Sequence, residues 1–396
     1  MEIAKLSKLI TPSGTMAISN KARVLREQGK PVIGFGAGEP DFPTPEYVIK
    51  DVQAAAEDTS NHKYSPVAGL TILKEEIVRT SELYSGINVK QENVLVSNGG
   101  KHAILTTFMS ILNPGDEVLI PSPYWTTYPE AVKISGGNPV IVDTEFDDDF
   151  KINTDQLDSL KTSKTKVLVW VSPSNPTGVV YTKEEAEKIY NWAFENNVWI
   201  LSDELYEHLV YEGITSPSPA QYDTELNNTI VINGVAKAYS MTGWRVGWII
   251  ANADVIDMAK KIQSHATSNV ANISQIAAYS ALKNGLDETK LMKESFNRRR
   301  LYAIEEFSNI ENINLIKSTG AFYLFPDVSY YSSNGVINGV HNSIDFCNWL
   351  LDEYFIAFVP GEVFGKNGFL RCSYALSDDD LHEGLSRFSK AIKDLK

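Results

Sequence analysis

Asn233 to Trp248 reads NGVAKAYSMTGWRVGW. An apolar, β-branched run, Thr229 to Ile232, leads into it with the composition of a buried strand, and Asn233-Gly234 breaks that run just before Lys237. Lys237 therefore sits on a strand-end loop. Its neighbours Val235, Ala236 and Ala238 offer little solvating polarity, and desolvation of this kind lowers an amine pKa and makes it nucleophilic toward carbonyls. Further on, Arg245 offers a rigid cationic fork suited to phosphate. Taken singly, each has a bland reading, a solvated lysine and a packing or ion-paired arginine. Their pairing on one loop is what points to a site.

Working outward, short apolar runs alternate with helical patterns: Val94 to Val96, Glu117 to Ile120, Pro139 to Val142, Val167 to Val171, Val198 to Leu201, Thr229 to Ile232 and Val246 to Ile250. That alternation predicts an α/β fold, a mainly parallel seven-stranded sheet between helices. In such sheets ligands bind outside the carboxyl ends of the strands, so the loops there are the candidates. Ser97-Asn98-Gly99-Gly100-Lys101 precedes a helix over His102 to Leu112, which makes it either a plain turn or an anion site at a helix N-terminus. Trp125, fixed by the prolines of Pro121-Ser122-Pro123, is a core aromatic or a stacking face for a flat ring. Asn175, bracketed by prolines in Ser172 to Gly178, is a turn former or a rigid amide donor. Asp203 and Tyr206, three apart after the Val198 to Leu201 strand, share one side of a helical turn, with a simple helix cap as the alternative for Asp203.

Outside the sheet, Pro31 to Pro45 (PVIGFGAGEPDFPTP) has too many glycines and prolines for regular structure and lets backbone amides approach a ligand. Helices are expected over Ala17 to Gln28, with Ser13 and Thr15 as caps, over Glu46 to Glu57, and through Leu291 to Ser308. Tyr64 falls on a turn-rich stretch, and Ser264 to Asn269 reads as a polar loop. Arg371 lies inside an apolar strand, Phe369 to Ala375, where a charge requires a buried partner or a ligand.

These segments, in this order across nearly the whole chain, strongly resemble the class I aminotransferases. The Lys237 stretch is similar to their cofactor-lysine segment, SPSNPTG to SPxNPTG, the GEPDFPTP core to the substrate gate, HKYSPVAGL to the KYxxxxGxxxLR segment, and FLRCSYA to FxRxSxA. The resemblance implies a fold-type I transferase dependent on pyridoxal 5′-phosphate, with Lys237 as its Schiff-base lysine and proton carrier. It assigns Asp203 to the ring nitrogen, Tyr206 and Asn175 to the 3′ oxygen, and Trp125 to the ring face. Gly99, Gly100, Lys101, Arg245 and Tyr64 of the neighbouring subunit would hold the phosphate. Gly38, Arg371, Asn175, Trp125 and Lys101 would meet the substrate. It also implies a homodimer with shared sites, amino acids and 2-oxo acids as partners, and no metal. One departure is Ala236 and Gly234 where many relatives carry a serine, which leaves phosphate anchoring to the other groups.

Arg371 reads only the α-carboxylate. Some aspartate aminotransferases use an arginine five residues before the position of Asn269, and Ser264 stands there instead. A bacterial subgroup has Gly-Gly-Lys at the phosphate cup, its lysine pairing with the distal carboxylate, and Lys101 matches it. Transamination between L-aspartate and 2-oxoglutarate is the expectation. The alternatives are an aromatic, alanine or prephenate-type aminotransferase, a C–S lyase sharing the cofactor, or a regulator that binds without turnover.

Length permits an N-terminal arm and gate segment (1–45), a large cofactor-binding domain (46–290) and a small α/β domain (291–396). The formal net charge of −14 argues against nucleic acid as a partner. Arg298-Arg299-Arg300 reads as a solvated face or ion-pair cluster, and Asp147-Asp148-Asp149 as an exposed loop. No apolar run reaches membrane-spanning length. The two cysteines, Cys347 and Cys372, suggest neither disulfides nor a metal site, which makes the cytoplasm the expected compartment.

Overall fold

The computed structural model describes residues 3–12 and 14–395. Seven strands form the central sheet: β1 (Val94–Ser97), β2 (Glu117–Ser122), β3 (Asn138–Asp143), β4 (Thr165–Val171), β5 (Trp199–Asp203), β6 (Thr229–Gly234) and β7 (Gly247–Ile250). Their spatial order is β1-β7-β6-β5-β4-β2-β3. All neighbours are parallel except β7, which runs antiparallel to both β1 and β6. All seven expected strands are present.

Alternate residues of these strands enter two different cores, as the period-2 geometry of a strand requires. Val118, Ile120, Val167, Val169 and Leu201 pack with Ile104 and Phe108 of helix α1 (Gly100–Ile111), on the same side as Tyr128 and Val132 of α2 (Thr127–Ile134). Leu119, Leu168, Trp170 and Ile200 turn the other way, onto Ile189 and Trp192 of the helix Lys183–Glu195. The central strands are therefore dry on both faces, and water reaches the sheet at its ends and along the exposed edge strand β3.

A further apolar core, away from the sheet, gathers Phe296 and Phe307 of the long helix α3 (Asp287–Ser308) with Phe322, Phe346, Leu350, Leu385 and Phe388. Short strands run beside it. Ile33–Gly34 pairs in parallel with Ile356–Ala357, and Leu370–Ser373 lies between Val359–Pro360 and Tyr323–Leu324. The chain's early segment thus joins its last third.

Two local expectations change. Ser264 to Ala266 complete the helix Ala253–Ala266 instead of forming a loop. The cause is Gln263, whose buried amide donates to the Val67 and Val96 carbonyls and ties that last turn to the sheet. The first long helix spans Gly14–Glu27, so Thr15 lies within it, while Ser13 falls outside the described residues. The arginine run is an ion-pair cluster. Arg298 and Arg299 bond Asp378, Arg299 also bonds Asp41, and Arg300 bonds Glu212. Asp147, Asp148 and Asp149 are exposed. Among the described residues no helix is long and apolar enough to cross a membrane.

Gly247 pins the functional end of the sheet. A Cβ there would lie 2.8 Å from the Gly100 nitrogen and the Gly99 carbonyl carbon and 3.0 Å from the Asn233 oxygen, all backbone atoms with nowhere to go. Gly247→Ala is expected to lose about 1–3 kcal/mol by overpacking, measured by urea unfolding; unchanged stability would show that this edge is looser than described.

Candidate active site

The carboxyl ends of β1, β4, β5 and β6 open into a cavity of about 580 Å³ that the Gly36–Glu39 loop and the Leu370–Ser373 strand help to enclose. Gly38, Gly100, Lys101, Trp125, Asn175, Asp203, Tyr206, Lys237, Arg245 and Arg371 all line it. Gly99 is the turn immediately beneath, the N-cap of α1 with φ 83°. Tyr64 is the exception. It is 91% exposed on this chain and does not line the cavity.

Lys237 stands half-buried on the turn after β6, and its Nζ donates to the Gly38 carbonyl. Burial, then the nearby Arg371 charge, push its amine pKa down to about 8. Desolvation disfavours the ammonium form, and a neighbouring cation adds to that. Asp203 ends β5 and is buried; its Oδ2 accepts from the Tyr128 hydroxyl at 2.7 Å and its Oδ1 from the Leu205 N–H at 3.3 Å. Burial raises its carboxyl pKa, and the Tyr128 hydroxyl, the Leu205 amide and the Lys237 charge work against that rise. Tyr206 reaches the cavity with its hydroxyl 2.8 Å from that of Tyr323.

Arg245 takes a left-handed backbone, φ 57°, and its guanidinium passes under the Gly99 turn. A Cβ on Gly99 would stand 2.8 Å from an Arg245 terminal nitrogen. A glycine turn, the N–H groups opening α1 and an arginine therefore converge on one spot, the donor set of an anion cradle. Lys101 leans over the Trp125 indole, Nζ 5.0 Å from its centroid.

Arg371 is 3% exposed. Its terminal nitrogens donate to Asn175 Oδ1 and to the Gly36 carbonyl, both at 2.9 Å, and the Tyr323 ring lies 4.5 Å from the guanidinium carbon. A guanidinium has five N–H donors, and here Nε is buried without a partner. Among the described residues no carboxylate pairs with it. A buried cation left with neutral acceptors and an orphan donor is a receptor awaiting an anion.

The cavity carries Lys101, Lys237, Arg245 and Arg371 against Glu39 and Asp203. A strongly acidic chain has concentrated positive charge in one enclosed place. That donor set fits ligands with a phosphate, a carboxylate and an amine-reactive aldehyde, which are the features of pyridoxal phosphate with an amino acid. Two contributors escaped the sequence reading. Tyr128 and Tyr323 both line the cavity and bond the residues predicted for it.

Comparison with known proteins agrees with this geometry. Residues 30–388 match the family model described as aminotransferase class I and II. An aspartate aminotransferase of Streptomyces avermitilis is 47% identical, over 98% of this chain and 95% of its own length. A probable aspartate/prephenate aminotransferase of Aquifex aeolicus is 40% identical, over 98% and 97%. The crystal structure of the aspartate aminotransferase from Rhizobium meliloti superimposes with a TM-score of 0.94 at 34% identity, covering 99% of each chain. The protein with the Lys237 cavity belongs to the class I and II aminotransferases.

Proposed function

We propose that this aminotransferase holds pyridoxal 5′-phosphate in the Lys237 cavity and exchanges amino groups between L-aspartate and 2-oxoglutarate. The observation that carries the reading is Arg371, a buried cation without a carboxylate partner among the described residues, opening on the same cavity as a lysine amine pushed down to about 8. The names of the similar proteins support aspartate as the donor. When bound, the cofactor supplies an electron sink that acidifies the α-proton of an amino acid.

This chain's residues do the rest. Arg371 holds the α-carboxylate through the N–H bonds not taken by Asn175 and Gly36, which fixes the orientation of the α-carbon. Lys237 Nζ, its pKa pushed down by burial and Arg371, would act as the base that takes and gives back the α-proton. The buried Asp203 carboxylate, held by Tyr128 and the Leu205 amide, would meet the ring nitrogen and stabilise its protonated form. Asn175 Nδ2 and the Tyr206 hydroxyl would serve the 3′ oxygen, and Trp125 would offer its face to the ring. Gly99, Gly100, Lys101 and Arg245 hold the phosphate, while the Gly38 backbone closes on the substrate.

Lys101 is the proposed reader of the distal carboxylate. The Aquifex relative's name favours prephenate-type substrates as a second reading, and such substrates also carry a second carboxylate. The near-complete exposure of Tyr64 supports its serving the phosphate of a second subunit, making a homodimer with shared sites. The proposed division remains 1–45, 46–290 and 291–396, in the cytoplasm.

Steady-state assays across an amino-acid panel separate the two carboxylate readers. Arg371→Leu is expected to lower kcat/KM for every amino acid roughly ten- to a hundredfold, the worth of one or two charged hydrogen bonds. Lys101→Ser is expected to penalise aspartate about tenfold while sparing alanine and phenylalanine; a loss at Arg371 confined to dicarboxylic acids, or an equal loss at Lys101 for all, would reverse the assignments. The amine supplies a pH test. Because the neutral form reacts, acylation of Lys237 in the cofactor-free protein should rise with pH through a midpoint near 8. A midpoint near the ordinary value of about 10 would contradict a desolvated lysine.

A further inference from the structure

Tyr128 touches both side chains assigned to the cofactor ring. Its hydroxyl donates to Asp203 Oδ2 at 2.7 Å. Its ring meets the Trp125 indole edge to face, centroids 5.7 Å apart at 86°, and its backbone N–H donates to the Trp125 carbonyl at 3.1 Å. At 1% exposure it has no water to turn to. The bond spans 75 residues of sequence, from the start of α2 to the end of β5.

We propose that Tyr128 is a positioning residue for the reaction, whose hydroxyl keeps Asp203 ionised and aimed at the ring nitrogen while its ring sets the tilt of Trp125. The inference rests on the reading that Asp203 serves that nitrogen. The physical case is one of supply. Asp203 is buried, so its charge depends on the few donors within reach, and the Tyr128 hydroxyl makes a closer contact than the Leu205 amide. Without it, one carboxylate oxygen would be left unpaired in a dry setting, favouring uptake of a proton. A protonated Asp203 offers the ring nitrogen no countercharge. Rotation about the Asp203 side chain would also be freed, because the remaining bond comes from the backbone two residues on.

The test measures equilibrium affinity of the cofactor-free protein for pyridoxal phosphate and for its 1-deaza analogue, in which carbon replaces the ring nitrogen. Wild type, Tyr128→Phe and Asp203→Asn are compared, with folding checked by circular dichroism. Tyr128→Phe is expected to weaken pyridoxal phosphate by about tenfold or more, the worth of a hydrogen bond to a charged group, while leaving the deaza analogue within about twofold of wild type, because Asp203 has nothing to address there. Asp203→Asn should show the same selectivity. Equal weakening of both cofactors by Tyr128→Phe would mean ordinary packing and overturn the proposal, as would no weakening of either. Absence of selectivity in Asp203→Asn would overturn the Asp203 reading itself, and the proposal with it. Should Tyr128→Phe not fold, Tyr128→Met, which loses both hydroxyl and ring, is expected to weaken both cofactors but pyridoxal phosphate about tenfold more than the deaza analogue; equal weakening there would overturn the role of the hydroxyl.

Discussion

The hydrogen bond from Arg371 to Asn175 joins two parts of the chain 196 residues apart. One end belongs to a short antiparallel strand beside the C-terminal core, the other to the loop leaving β4. Burying a guanidinium is costly unless its donors are met. Here the protein meets two of them with neutral oxygens and shields the face with Tyr323. A carboxylate partner from the chain itself would have made the fold more secure and the site useless. The arrangement holds the cavity walls in register and keeps one charge uncommitted.

The same economy governs the lysine. Its loop is anchored by Gly38 on one side and by the crowded Gly247 backbone below, so the amine is held where solvent is scarce and cations are close. Successive residues at the end of β5 then divide two carboxyl groups by the alternation of a strand. Asp203 faces the cavity, and Glu204 turns to the Ser202 and Ser218 hydroxyls at 2.6 and 2.5 Å. Burial and the neighbouring Glu207 push the Glu204 carboxyl pKa up, which favours its protonated form and lessens the charge behind the site. Asp203, with Glu39 at the rim loop, is left to answer the basic groups of the cavity.

The sheet was legible because its period is local. Each strand needs only a handful of apolar residues and a breaking turn to announce itself, and the loops that follow carry their own glycine and proline chemistry. The site residues on those loops were legible for the same reason. Tyr128 and Tyr323 were not, because nothing in their immediate sequence separates them from core aromatics. Their hydroxyl partners, Asp203 and Tyr206, are brought close only by the fold. The polar run Ser264 to Ala266 misled for a related reason: its helix is held by a distant contact from Gln263 to the sheet. Tyr64 marks a different boundary: it is exposed and lies outside the cavity of its own chain, so nothing within this chain gives it a role.

The central claim is that Lys237, among the chain's lysines, is the one that takes the cofactor. Borohydride reduction of the protein loaded with pyridoxal phosphate, followed by proteolysis and mass spectrometry of the peptides, tests it directly. The account predicts one phosphopyridoxyl group per chain, on the peptide that contains Lys237. Stoichiometric label on Lys101 or on any other lysine, with Lys237 unmodified, would contradict it.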